Sequence, residues 1–344
     1  MPFEIVRNDI TNMQVDAIVN TANTKAIVGS GVDAAIHKKA GPELLEARKE
    51  IGSITVGHTA ITPAFNLDAK YVIHVVGPVW KGGKQNEEAL LSQCYKGALE
   101  LAKEHGCESI AFPLISTGAF GYPKAPALQV AIKEFSSFLM ENDMQIYLVV
   151  FSRDAFELSE KLFRSVKSYI DENYIREKLF DEYGVYDEIE AEKADIEFAK
   201  AIRSDLLGAG AGGTYIRIPS ATPDLESVLN GIDAGFSETL LRLIDLSGKK
   251  DSEIYKKANI DRRLFSKIRN NKDYQPSKTT ALAFAIALEL DLEETRDFIA
   301  RAGFALSHSS KFDVIVEYFI INNNYDVFEL NEVLFAFDQP LIGA

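Results

Sequence analysis

Val15-Asp16-Ala17-Ile18-Val19-Asn20-Thr21-Ala22-Asn23 is followed, five residues on, by Gly29-Ser30-Gly31-Val32-Asp33-Ala34-Ala35-Ile36-His37. This pair of segments decides the fold class. The first is a short apolar run that turns polar at its end, as a buried strand does on leaving a sheet. The second passes from small residues into a helix whose apolar positions recur at three and four. Strand, loop and helix form the repeating unit of an α/β sheet covered by helices on both faces. Working outward, strands are expected at Phe3 to Val6, His58 to Thr62, Tyr71 to Val76, Ser109 to Pro113 and Gln145 to Phe151. Helices are expected over Val32 to Ala40, Asn86 to Glu104, Ala125 to Asn142 and Asp154 to Tyr169.

Three segments put small or polar residues directly after a strand, where the carboxyl ends of an α/β sheet meet ligands. Asn20 and Asn23 are two amides three apart at such an end. Gly29-Ser30-Gly31-Val32 leads straight into a helix, so exposed N–H groups and the positive end of a helix dipole converge on one spot. Ile115-Ser116-Thr117-Gly118-Ala119-Phe120-Gly121-Tyr122-Pro123 supplies another turn whose glycines permit close backbone approach. Two such loops facing each other fit a pyrophosphate.

These strings, together with Asn8-Asp9-Ile10-Thr11, Ala40-Gly41 and His74-Val75-Val76-Gly77-Pro78, resemble the macrodomain, the ADP-ribose-binding fold, over about residues 1–170. The resemblance implies a three-layer α/β macrodomain with a mixed sheet. Within the family, the two asparagines, the Gly-rich loop continuing as Val32-Asp33 and the Ser116-Thr117-Gly118 loop resemble the branch that hydrolyses ADP-ribosyl esters. Carried over by residue, it implies that Asp9 and the Ile10 N–H hold adenine while Phe151 stacks on it. Gly29, Ser30, Gly31 and Val32 on one side, and Ser116, Thr117, Gly118, Ala119 and Phe120 on the other, would hold the phosphates. Asn23 would bond the terminal ribose, with Asn20 behind it. Asp33 would orient or deprotonate the attacking water. These three are the candidate catalytic residues. His37, one turn beyond Asp33, would orient the carboxylate or fill space.

Each residue also has a plainer reading. An Asp in a first helical turn is a favourable charge worth about 0.3 to 1 kcal/mol. Asp9, Asn20 and Asn23 are common turn residues, and Phe151 is by default a core ring. His74, inside an apolar strand, reads as a hydrogen-bonded core histidine. Two positions depart from the family pattern: Asn8 stands where glycine is usual, and Ser30 interrupts the glycine triplet. If position 30 needs a left-handed backbone, serine costs roughly 1 kcal/mol or more. No ligand spacing links His58 to His105, and no metal or cofactor is expected.

The 344 residues carry 37 Lys and Arg against 51 Asp and Glu, a net charge of -14, so the whole molecule repels polyanions and anionic membranes. Any nucleic-acid contact must come from a local patch. Cys94 and Cys107 lack any CxxC spacing and are expected as reduced, buried thiols. Met1 to Ile10 is too polar for a signal peptide, and the longest apolar stretch, Ala281 to Leu290, is half a bilayer span. The expectation is a cytoplasmic protein with no membrane contact.

Acid concentrates in residues 151–235, which hold 18 acidic and 10 basic side chains. The acidic run Asp181 to Glu197 and the run Gly208 to Gly213 read as a charged helix and a flexible joint over 171–235, since no Gly-Lys-Ser/Thr follows the glycines. From Phe236 on strand signals vanish, so 236–344 is expected as a small all-α domain. Within it, Lys249 to Asn270 gives two short helices joined at Ala258 to Asp261, with a longer one starting after Tyr274. This resembles the helix-turn-helix of phage-repressor-like regulators over about 252–292. Residues 249–278 carry 10 basic and 4 acidic side chains. A DNA or protein partner is therefore assigned to this segment, with Lys256 and Lys257, and Arg262, Arg263, Ser266, Lys267 and Arg269 on the second helix, as the phosphate contacts in the DNA case. The functional expectation is an ADP-ribosyl hydrolase acting on mono-ADP-ribosylated protein, O-acetyl-ADP-ribose or a phosphate derivative. The alternative is a non-catalytic reader of ADP-ribose or a nucleotide signal, coupled to the helical segment.

Overall fold

The computed structural model describes residues 2–151, 165–170 and 234–343. The acidic run and glycine joint expected between 171 and 233, and most of the helix expected from Asp154, lie outside the described residues.

Six strands form one sheet: β1 (Phe3–Arg7), β2 (Ala17–Thr21), β3 (Thr59–Pro63), β4 (Tyr71–Val75), β5 (Ser109–Pro113) and β6 (Gln145–Val150). Their order is β1-β6-β5-β2-β4-β3, parallel except where β3 runs against β4. The sheet is mixed and covered on both faces. Side chains alternate along each strand, so Ala17 and Val19 join a core with α3 (Glu87–Glu104) and α4 (Lys124–Glu141), while Ile18 packs with Ile36 of α1 (Val32–Ala40) and Leu44 of α2 (Pro42–Ile51). The same alternation turns Asn20 toward α1. Helix α2 was not expected from the sequence. It is a ten-residue helix begun by Pro42 directly after Gly41, and only Leu44 and Arg48 are buried, so its apolar signal is weak.

The carboxyl-terminal half is helical: α5 (Phe236–Ser247), α6 (Asp251–Lys257), α7 (Arg262–Asn270), α8 (Lys278–Ala287), α9 (Leu292–Ala300), α10 (Lys311–Ile321) and α11 (Val327–Ala336). Phe236, Phe284, Phe298, Phe319 and Phe328 are core rings there. These helices share one continuous hydrophobic core with the sheet layer. The Phe3 ring lies 5.6 Å from that of Phe328 and 5.5 Å from that of Phe135.

Strand β1 is an edge strand, and unpaired edge groups are a liability. Asn259, in the turn between α6 and α7, covers one: its Oδ1 accepts the Phe3 N–H at 3.0 Å and its Nδ2 donates to the Phe3 carbonyl at 2.9 Å. At the other end of β1, Arg7 pairs with Asp338 at 3.2 Å. Lys256 donates to the Met140 carbonyl at 3.1 Å, in the last turn of α4. No helix among the described residues is long and apolar enough to cross a membrane.

Candidate functional site

The carboxyl ends of β1, β2, β5 and β6 open onto one cleft made of two adjoining cavities of about 490 and 350 Å³, which share Gly31, Val32, Pro113, Val149 and Phe151. Asn8, Asp9 and Ile10 line the first. Asn23, Gly29, Ser30, Asp33 and the loop Ser116 to Phe120 line the second. Every site residue expected from the sequence lines this cleft except Asn20, which is fully buried behind it. Asn20 therefore touches Asp33 rather than a ligand.

The two glycine-bearing turns face each other across the larger-walled cavity. Helix α1 starts at Gly31 without a side-chain cap. The N–H groups of Ser30, Gly31 and Val32, and of Thr117, Gly118, Ala119 and Phe120, make no hydrogen bond to protein among the described residues. Such uncommitted donors at a helix start form an anion site. The left-handed residue of the first turn is Gly31, at φ 61°, and Ser30 is not among the positive-φ positions. The strain that serine would suffer at such a position does not arise. Nor is Asn8 left-handed; its side chain accepts the Asp9 N–H at 2.8 Å. In the second turn Ser116 itself adopts φ 65° and is buried. A Cβ on Gly77 would lie 2.1 Å from the Ser116 hydroxyl, so glycine is required there.

Asp33 is buried at 3% exposure. Its Oδ2 accepts the Gly29 N–H at 2.5 Å, its Oδ1 accepts from Asn20 Nδ2 at 2.6 Å, and His37 Nε2 lies 3.4 Å from Oδ1. Behind Asn20, the His74 Nδ1 is 3.2 Å from Asn20 Nδ2 and its Nε2 is 3.0 Å from Thr62 Oγ1. His74 is thus a hydrogen-bonded core residue that steadies Asn20. Burial, reinforced by the nearby Arg48 charge and by His37, drives its pKa down to about 3. Burial also lowers that of His37, with Asp33 opposing and Arg48 reinforcing. The His74 ring is neutral at neutral pH. Four buried polar atoms lack a protein partner here: Asn20 Oδ1, His37 Nδ1, Arg48 Nε and Ser116 Oγ. Unsatisfied groups are rare in folded proteins and cost about 1 to 3 kcal/mol each.

Asp9 caps a short 3-10 turn, Ile10–Asn12, with Oδ1 accepting from Thr11 N at 2.9 Å and Thr11 Oγ1 at 2.8 Å. One carboxylate oxygen is committed to the turn, and no hydrogen bond is made by the other among the described residues. Phe151 is 79% exposed on the cleft wall rather than a core ring. Sequence reading missed Arg48 and Thr62, and no three-residue group of His, Cys, Asp or Glu among the described residues is arranged to hold a metal ion.

A Macro domain family profile matches residues 19–131. A Macro domain-containing protein of Methanosarcina mazei is 46% identical over 155 residues, 44% of this chain and 83% of that protein. An O-acetyl-ADP-ribose deacetylase of Citrobacter rodentium is 47% identical over 166 residues, 46% of this chain and 94% of that protein. Among solved structures, the Oceanobacillus iheyensis macrodomain with ADP aligns at 43% identity and TM-score 0.43, covering 44% of this chain and 85% of that one. With nearly the whole of such a relative matched at this identity, the chain belongs to the macrodomain family.

Proposed function

We propose that this protein binds ADP-ribose in the strand-tip cleft and hydrolyses ADP-ribosyl conjugates there, O-acetyl-ADP-ribose or mono-ADP-ribosylated protein. The single observation that carries the reading is the facing of two turns whose amide protons are uncommitted, with the buried carboxylate of Asp33 at the edge of one of them. Adenine lies between Asp9, the Ile10 N–H and the exposed Phe151 ring. The diphosphate takes the amides of 30–32 and 117–120, and Asn23 holds the distal ribose. Asp33 orients a water and accepts its proton as the oxygen attacks the ester carbon; the carbon–oxygen bond to the ribosyl group breaks, and the leaving oxygen is protonated. Gly29 and Asn20 fix both carboxylate oxygens, so the base is oriented before substrate arrives. The relatives named as O-acetyl-ADP-ribose deacetylases support this substrate class. The test is incubation of the full chain with O-acetyl-ADP-ribose and, separately, with mono-ADP-ribosylated protein, counting the ADP-ribose released. Binding without turnover of either would leave a reader in place of an enzyme.

For the carboxyl-terminal helices we propose contact with duplex nucleic acid through α7. Favouring it, Arg262, Arg263, Ser266 and Lys267 are exposed on one side of that helix, and its three basic members carry no ion pair among the described residues. A major groove admits such a helix. Other members of the basic segment are already engaged: Lys256 with the Met140 carbonyl, Lys257 with Glu289 and Arg269 with Asp251. The phosphate contacts are thereby narrowed to α7. A mobility shift on duplex DNA that weakens as salt rises is expected; no shift at low ionic strength would remove the reading.

A further inference from the structure

Behind the loop that carries Asn23 lies a buried cation that the mechanism above does not use. Arg48 of α2 is 2% exposed, among the largest fully buried side chains of the protein. Its Nη2 donates to the Asn23 carbonyl at 3.1 Å and its Nη1 to the Gly52 carbonyl at the end of α2. Its Nε has no partner, and no carboxylate lies within ion-pair distance of the guanidinium among the described residues. A guanidinium stays protonated in proteins, and a buried charge without an opposite charge is costly.

Asp33 has the complementary deficit. It is buried, its two oxygens accept from the Gly29 amide and the Asn20 side chain, and burial biases its nearest ionisable neighbour, His37, toward the neutral form. The two charges are linked through packing. A Cβ placed on Gly29 would meet Asn23 Nδ2 at 2.9 Å and Asp33 Oδ2 at 3.2 Å, so the Asn23 amide and the Asp33 carboxylate crowd the same α-carbon. Arg48 grips the carbonyl of that same Asn23.

We propose that Arg48 is a positioning residue of the cleft, which fixes Asn23 through its main chain and serves as the buried counter-charge of Asp33. The inference rests on the reading of Asp33 as the base. The field of Asp33 is the one charge acting appreciably on the guanidinium among the described residues, and it opposes the lowering that burial imposes on Arg48. The ionisable groups facing Asp33 are His37 on its own helix, His74 on β4 behind Asn20, and Arg48 on α2; burial favours the neutral form of both histidines, which leaves Arg48 as the standing positive charge.

The experiment uses the full chain with Arg48→Met, Arg48→Lys, Asp33→Asn and the double variant Asp33→Asn with Arg48→Met. With the Asn23 carbonyl released, Arg48→Met raises KM for O-acetyl-ADP-ribose about tenfold while kcat falls less. Arg48→Lys keeps the charge and a donor for the Asn23 carbonyl, and returns KM most of the way. ADP, which lacks the distal ribose, binds Arg48→Met as it binds the unmodified protein. The readout independent of turnover is melting temperature: two charges that offset each other make the double variant lose less than the sum of the single losses. Strictly additive losses, or a KM that does not move in Arg48→Met, overturn the proposal. Coupled melting losses in a protein whose Asp33→Ala form still turns over would overturn the assignment of the base and leave the charge pair standing.

Discussion

Five of the seven helices in the carboxyl-terminal half begin on a side chain that accepts a first-turn amide: Asp261, Ser277, Asp291, Ser310 and Asp326. None of the four helices α1 to α4 does; they start at Gly31, Gly41, Asn86 and Pro123. The difference separates structural economy from reserved chemistry. In the helical half, local sequence satisfies the orphan donors at once. At α1 the donors remain uncommitted and line the cleft, beside a serine held at positive φ and four partnerless buried atoms. Strain and unmet polar groups collect where a ligand is to be held.

The comparison breaks first at Asp33. Asp33→Ala is expected to lower turnover by about 10²- to 10⁴-fold, the range for loss of a general base, while ADP-ribose affinity stays within about tenfold, roughly 1.4 kcal/mol. Single-turnover kinetics with calorimetry on the same preparation separates the two. A variant that keeps its rate would mean that the polar groups behind the cleft are structural, as the helix caps are.

His74 sharpens the comparison through pH. Its native pKa, about 3, lies below the ordinary value of 6.5, so the unfolded chain takes up a proton first as pH falls. The stability it contributes is full above pH 6.5 and is lost progressively between there and about 3, at up to about 1.4 kcal/mol per pH unit. Urea denaturation at pH 7, 6, 5 and 4 should show that slope, and His74→Gln should flatten it. An equal slope in the variant would assign the acid sensitivity elsewhere.

Adenine recognition gives a smaller effect. Asp9→Ala is expected to weaken ADP-ribose binding by about 1 to 3 kcal/mol, the cost of losing one partner of a buried polar contact. Calorimetry checks it. Unchanged affinity would leave Asp9 as the cap of its 3-10 turn and nothing more.

How far the sequence carries depends on the range of each interaction. Strands β1 to β6 were legible because apolar runs of five or six residues are bounded by turns, and Ser109–Pro113 appears with the boundaries read from sequence. The cleft residues were legible because small residues after a strand point to a strand-tip loop, and these loops meet. Helix α2 was not, since two buried side chains in ten residues give little periodicity. Arg48 and Thr62 were invisible for a different reason: each acts through a carbonyl or a ring brought near by the fold, 25 residues away in one case and 12 in the other. Asn259 likewise reads as a turn former. Its bond to Phe3, 256 residues distant, exists only once the helices dock on the edge strand.

The smallest expected effect tests the helical side of the contrast. Asp291 accepts the Glu294 N–H at 2.9 Å while Glu294 accepts the Asp291 N–H at 3.0 Å, a reciprocal cap on α9. Asp291→Ala should cost about 1 kcal/mol of stability, within the usual range for a lost cap, and leave ADP-ribose affinity and turnover as they were. Gly31→Ala should do the reverse. Alanine at φ 61° has open space around its Cβ, so the change strains only the backbone. That strain, about 1 to 2 kcal/mol, falls on the turn whose uncommitted amides line the cleft and are proposed to hold the phosphates, and ligand affinity should fall with it. Thermal melts and calorimetry on the two variants give four numbers. If the cap variant lowers affinity as much as the glycine variant does, the division between committed and reserved helix starts is not real, and the cleft would have to be understood as one more packed corner of the fold.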